Sequence, residues 1–228
     1  MKEFPAGSRR NMPISANKSL HSTIILSCSP RIQGNTDSAS AVLFESLVNA
    51  GTLPVPELIY LRNYHVLPCI SCGACAAFND VSTFSRHLDF LLNACPLSVE
   101  DDASALLDVI ASGTRIFILS PIYFYHLPAA FKALIDRIQP FYVRQRRPVI
   151  PMSEKICYPV LIAGRARGDS LFSGSILTLK YAFGSLGMRL GRPLFLSGLD
   201  ESGALMASTD ALDQLTAYAR TIMTGAEK

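Results

Sequence analysis

Two stretches of the chain have residue types and spacing that could do chemistry. In Ser27-Cys28-Ser29-Pro30-Arg31-Ile32-Gln33-Gly34-Asn35-Thr36-Asp37, Ser29, Asn35 and Thr36 offer short side-chain donors, and Gly34 permits backbone geometry closed to other residues. A helix starting there would aim its free N–H groups into the same space, an arrangement suited to a phosphate monoester. The same residue types cap helices that bind nothing, so the loop by itself leaves plain capping open. No Gly-x-x-x-x-Gly-Lys-Ser/Thr occurs, and no Gly-x-Gly-x-x-Gly follows the first strand, which excludes a nucleoside-triphosphatase loop and a dinucleotide fingerprint. The second stretch is Cys69-Ile70-Ser71-Cys72-Gly73-Ala74-Cys75, with Cys95-Pro96 further on. Thiols at two-residue gaps can turn toward one centre, as in iron–sulfur sites. Zinc on the four thiolates, or with His87 replacing one, and plain reduced thiols remain open beside it.

These residues need elements to hold them. Thr23 to Cys28 has the composition of a buried strand, and Asp37 to Ala50 carries Leu43, Leu47 and Val48 at helical spacing before Gly51. Glu57 to Leu61 reads as a second strand, followed by the cysteine segment 62–100, in which Ser82 to Ala94 predicts an amphipathic helix. Then come a helix Asp101–Ser112, a strand Thr114–Ser120, a helix from Pro128 to about Gln139, a strand Ile156–Ala163 and a helix Ser173–Leu186. A strand Pro193–Leu196 and a helix from about Thr209 to Thr221 close the pattern. Alternating strands and helices predict an α/β fold: a doubly wound, parallel, five-stranded sheet with helices on both faces. In such sheets the ligand lies beyond the carboxyl ends of the strands, where the strand order reverses. Three loops should converge there, 29–37, 121–127 and 164–171.

The second of these loops is dense in aromatics: Ser120-Pro121-Ile122-Tyr123-Phe124-Tyr125-His126-Leu127-Pro128. It could form an apolar slot for a flat ring system. Ala163, Gly164 and Gly168 in the third loop allow close backbone approach, and Arg165 and Arg167 could attract phosphates. Solvated arginines are an equally good reading there, as they are for Arg144, Arg146 and Arg147. Cys28 and Cys157 lie in apolar strands and read as buried small hydrophobes.

Taken together, Ser29-Pro30-Arg31-x-x-Gly34-Asn35-Thr36 and the segment from Ser120 through Phe131-Lys132-Ala133-Leu134-Ile135-Asp136-Arg137 resemble the flavodoxin-like NADPH-dependent FMN reductases. The resemblance spans residues 23–222. It implies FMN held non-covalently by Ser29, Arg31, Gly34, Asn35, Thr36, Pro121, Ile122, Tyr123, Phe124, Ala163, Gly164 and Gly168, with NAD(P)H as electron donor. It also implies an oxidoreductase with a small-molecule or protein redox partner, and a dimer or higher homo-oligomer. No catalytic acid or base is expected, because the flavin carries the chemistry. The cysteine segment is similar to that of the iron–sulfur flavoproteins, which implies a [4Fe–4S] cluster on Cys69, Cys72, Cys75 and Cys95. In that branch the fourth cysteine follows closely, whereas here residues 76–94 intervene.

Composition bounds the rest. A 228-residue chain suits one sizeable domain over 23–228. Residues 1–22 are polar and aperiodic, with Arg9, Arg10 and Lys18 and no apolar core of a signal peptide, so a mobile extension and a cytoplasmic location are expected. A formal charge of +3 is too slight for a nucleic-acid partner. Apolar runs fall short of the roughly 20 residues that cross a bilayer, so no membrane partner is expected.

Overall fold

The computed structural model describes residues 23–76, 95–145 and 155–225. The expected N-terminal extension, the expected helix Ser82–Ala94 with His87, and Arg146 and Arg147 lie outside them. Strand β1 (Thr23–Ser27) leads to helix α1 (Asn35–Asn49) and strand β2 (Glu57–Tyr60). After the cysteine segment follow α2 (Ala103–Ser112), β3 (Arg115–Pro121), α3 (Ala129–Asp136) and α4 (Gln139–Gln145). The chain continues through β4 (Ile156–Ile162), α5 (Ser173–Ser185), β5 (Arg189–Leu190), β6 (Leu194–Leu196), α6 (Ala204–Ala207) and α7 (Thr209–Met223).

All strand pairings are parallel, in the order β2-β1-β3-β4, with β5 and β6 both paired to β4. Alternate residues of the central strands feed opposite cores. Ile24, Leu26, Ile116 and Ile118 pack under α2, α3 and α5. Ile25, Phe117, Leu119 and Val160 pack under α1 and α7, where Tyr158 stacks on Phe117 with ring centroids 5.1 Å apart. Strands buried on both faces read as continuous apolar runs, which is why no two-residue alternation marks them in the sequence.

The fifth sheet position differs from the single strand expected over Pro193–Leu196. It is filled by two short pieces; Gly191, between them, still donates to the Cys157 carbonyl at 2.8 Å and lies against the Tyr158 ring, where an added Cβ would come within 2.5 Å of a ring carbon. Pro193 then has no N–H to donate. The helix expected from Pro128 to Gln139 also breaks in two. Pro140 cannot donate to the carbonyl one turn back, so α3 stops at Asp136 and α4 starts afresh with Pro140 in its first turn. The four-residue helix α6 was not expected at all.

Cys28 and Cys157 are buried in the same core, as expected. Burial pushes both thiols well above their ordinary value, and their mutual proximity adds to this for Cys28. The native state therefore keeps these protons at a pH where the unfolded chain, with thiols near pKa ~8.5, gives them up. Their contribution is fully present below that pH and lost as the pH rises above it. Urea midpoints should thus be flat from pH 7 to 8 and fall by pH 9.5, and Cys157→Ala should make that fall shallower. An unchanged slope in the variant would show that other groups govern it.

Candidate functional site

The phosphate-loop candidate joins β1 to α1 at the point where the chain turns from β1 toward β2 on one side and β3 on the other. Ser29 closes a tight turn, its Oγ accepting from the Arg31 amide at 3.1 Å. Asp37 gathers the loop from inside α1: its carboxylate accepts from the Gln33 amide at 2.8 Å, from Ser27 Oγ at 3.3 Å and from Arg62 at 2.8 Å. Arg62, which the sequence did not single out, also lies 4.4 Å over the Tyr60 ring and reaches the carbonyls of Ser29 and Arg31. It neutralises the one carboxylate in this loop, which would otherwise repel an anion. Gly34 corrects the sequence reading: it caps α1 at φ −81°, ψ 177°, ordinary extended backbone, and the left-handed residue is Gln33 at φ 57°. The Asn35 and Thr36 amides have no backbone acceptor among the described residues, as the first turn of a helix requires.

The Asn35 side chain is already committed. Its amide group donates to the carbonyls of Leu199 and Glu201, each at 2.9 Å, and its oxygen accepts from the Leu205 amide at 3.1 Å. It ties the α1 N-terminus to a loop, 199–202, that follows β6. Sequence reasoning missed this loop, although the rule that placed the other three at strand carboxyl ends applies equally to it.

These four loops enclose a cleft of ≈ 360 Å³. Ser29, Arg31, Gly34, Asn35 and Thr36 form one wall, and Pro121, Ile122 and Tyr123 face them. Gly164 closes the third side against Asp200; an added Cβ there would lie 2.3 Å from the Asp200 carboxylate, which would have to shift to admit it. Ala163 and Phe124 border an adjoining hollow of ≈ 250 Å³, which shares Ile122, Gly164 and Arg165 with the cleft. Gly168 lies further out, beneath the Tyr125 hydroxyl. The aromatic loop is a two-residue turn in which Tyr123 and His126 exchange backbone hydrogen bonds of 2.9 and 3.0 Å. Its central residues are Phe124 at φ 50° and Tyr125 at φ 63°, a strained conformation for aromatic side chains. Phe124 is fully exposed at the tip, and Arg165 holds Tyr125 by a 2.8 Å bond to its hydroxyl. His126 Nε2 is 3.2 Å from Thr178 Oγ1, which turns it away from the cleft and into α5.

The cleft suits a flat ring system with a terminal phosphate. The unpaired amides of α1 and the Arg31 guanidinium, which has no ion-pair partner among the described residues, supply the anion end. The apolar flank of Ile122 and Tyr123 supplies the other.

The two ends of the cysteine segment are stitched together. The amide of His65 donates to Asp102 and that of Leu67 to Asp101, each at 2.8 Å. Asp101 and Arg137 form an ion pair with side chains 0% and 2% exposed. Cys95 is thereby brought back toward the first three cysteines: the Cys75 thiol is pushed up by burial and then by the nearby Cys95, Cys69 and Cys72. The Ser71 amide donates to Cys69 Sγ at 3.4 Å, with Ser71 and Gly73 at positive φ turning the loop inward. The thiols are neighbours, yet among the described residues no three His, Cys, Asp or Glu side chains form a group that could hold a metal ion. The donor set is right for a cluster and the arrangement is not that of one.

Comparison with known proteins agrees with this architecture. The sequence pattern of the NADPH-dependent FMN reductase family matches residues 22–173. The iron-sulfur flavoprotein of Methanosarcina thermophila is 26% identical over 112 residues, covering 49% of this chain and 48% of its own. The chain thus spans about half the length of this curated relative. In fold, it is similar to an FMN-dependent NADH-azoreductase from Bacillus anthracis in complex with FMN, with a TM-score of 0.59, 13% identity and 91% and 100% of the two chains covered. A similar likeness holds for an NAD(P)H:quinone oxidoreductase from Methanothermobacter marburgensis, with a TM-score of 0.56, 15% identity and 90% and 97% covered. The fold is therefore flavodoxin-like, and the chain belongs to the NADPH-dependent FMN reductase family of flavin oxidoreductases.

Proposed function

We propose that residues 23–228 form one domain that binds FMN in the four-loop cleft, takes electrons from NAD(P)H and delivers them to a small-molecule or protein acceptor. The observation that carries this reading is the cleft itself, where unpaired helix amides, Arg31 and an apolar aromatic wall meet beyond β1, β3 and β4. In it the Asn35 and Thr36 amides and Arg31 hold the phosphate, and Ile122, Tyr123 and Gly164 border the ring. Bound FMN would supply hydride acceptance and one- or two-electron release. The residues keep the ring fixed and partly shielded, and no side chain has to move a proton. The exposed Phe124 suits a homodimer in which a second copy covers the mouth of the cleft.

A second reading, an electron-transfer iron–sulfur flavoprotein, is favoured by the gathering of four thiols around Cys75. In this reading Cys69, Cys72, Cys75 and Cys95 would have to close further around a [4Fe–4S] cluster than they do here, and the cluster would add one-electron chemistry. One experiment separates the two. Protein purified anaerobically should carry a flavin that is released as FMN and not FAD, should be bleached by NAD(P)H, and should sediment as a dimer. Iron and sulfide in equal amounts would support the second reading, and their absence would restrict the chain to the first. Failure to bind FMN on reconstitution would overturn both.

Among the described residues no helix is long and apolar enough to cross a membrane.

A further inference from the structure

Beyond the aromatic turn lies a larger cavity of ≈ 430 Å³ that the FMN reading leaves without a role. Its apolar part includes Phe172 and Phe195, stacked with centroids 4.5 Å apart and planes within 5°. Phe195 is 42% exposed, an aromatic surface left to water. The polar part is formed where α5 begins. The N-cap position of α5 is Phe172, which offers no side-chain acceptor, its first turn has no acidic residue, and the amides of Gly174 and Ser175 have no backbone acceptor among the described residues. Of the described residues that line the cavity, Arg167 is the one charge, and it makes no hydrogen bond or ion pair with any described residue. The cavity therefore presents an aromatic face beside a site for an anion.

The cavity also adjoins the hollow that flanks the cleft. Gly164 and Arg165 border both the cleft and the hollow beside Phe124, and Leu171 borders both that hollow and the outer cavity. One loop, 163–171, borders all three hollows. A ligand with a reactive ring at one end and an aromatic, phosphorylated group at the other matches this layout.

We propose that the outer cavity holds the adenosine half of NAD(P)H, with adenine on the Phe172–Phe195 pair and a phosphate at Arg167 and the α5 N-terminus. This rests on the FMN-dependent reading above, since the nicotinamide must reach the ring in the cleft. The inner faces of the two rings cover each other, so adenine would stack on the exposed side of Phe195, and a guanidinium makes forked bonds to phosphate oxygens.

The test uses the FMN-loaded protein with NADPH, NADH and reduced nicotinamide mononucleotide, which lacks the adenosine half. Arg167→Ala and Phe195→Ala should lower kcat/KM for the preferred dinucleotide about tenfold or more, mainly through KM. They should leave the mononucleotide's kcat/KM and the FMN occupancy within twofold of the parent protein. Equal losses for dinucleotide and mononucleotide, or no loss for either, would overturn the proposal. If the parent protein binds FMN but oxidises no nicotinamide, calorimetry with 5′-ADP and adenosine 2′,5′-bisphosphate decides the question. Binding of either that Arg167→Ala abolishes would uphold the cavity without the activity, and no binding of either to the parent protein would sink the proposal.

Discussion

Replacing Arg137 by alanine is expected to destabilise the protein by about 3–5 kcal/mol, because it strands the Asp101 carboxylate, which is 0% exposed, without its counter-charge. For a chain of this size that corresponds to a melting point lower by roughly 10 °C. The loss should not be recovered in full by making both positions apolar, as it often is for buried ion pairs. Asp101 also accepts from the amides of Leu67 and Ala103, and Arg137 donates to the Leu67 carbonyl at 3.2 Å. Arg137→Met with Asp101→Leu would leave those backbone groups unpaired. The consequence reaches the cysteines. With the two ends of their segment released, Cys75 loses its thiol neighbours and its burial, and its pKa falls back toward the ordinary thiol value. Alkylation of Cys75 at pH 8 should therefore speed up in Arg137→Ala, read by mass spectrometry at a temperature where the variant is still folded. A variant as stable as the parent, with Cys75 equally slow, would show that the pair does not hold the segment.

Asn35→Ala is expected to weaken FMN binding by about ten- to a hundredfold, although the polar atoms of the side chain are committed to residues 199–205 and not to the anion site. It removes three hydrogen bonds that tie α1 to residues 199–205, each with a net value of about 0.5–1.5 kcal/mol, and so loosens the wall that carries Asp200 and Ser202. Asn35→Asp should be worse than alanine. It keeps the acceptor for Leu205 but loses both donations and sets a negative charge against two carbonyls and beside the phosphate site. Fluorescence titration gives the affinities, and hydrogen exchange at 199–205 in the FMN-free protein gives the mechanism. If affinity fell while exchange at 199–205 stayed unchanged, Asn35 would be a phosphate ligand instead of a tether. Affinity within twofold of the parent would remove it from the site altogether.

The order of strands and helices was legible in the sequence, because burial on both faces writes each central strand as an unbroken apolar run and each helix as a stripe at its own period. So was the convergence of loops, since a parallel sheet that reverses direction beside β1 leaves one place for a ligand. The departures are local and have local causes: Pro140 splitting one helix, and Pro193, with no N–H to donate, splitting one strand. The direction of individual side chains was not legible. Nothing at Asn35 indicates that its partners are 164 to 170 positions away, nor does Arg62 reveal that it neutralises Asp37 across 25 positions. The glycine of the phosphate loop drew attention for a backbone freedom that its neighbour Gln33 uses instead. By itself, then, the sequence determined the fold class and which loops meet, since both depend on periodic burial and chain connectivity. Only the tertiary structure decided which groups stay free to meet a ligand, because hydrogen bonds between residues distant in the chain consume some donors and leave others.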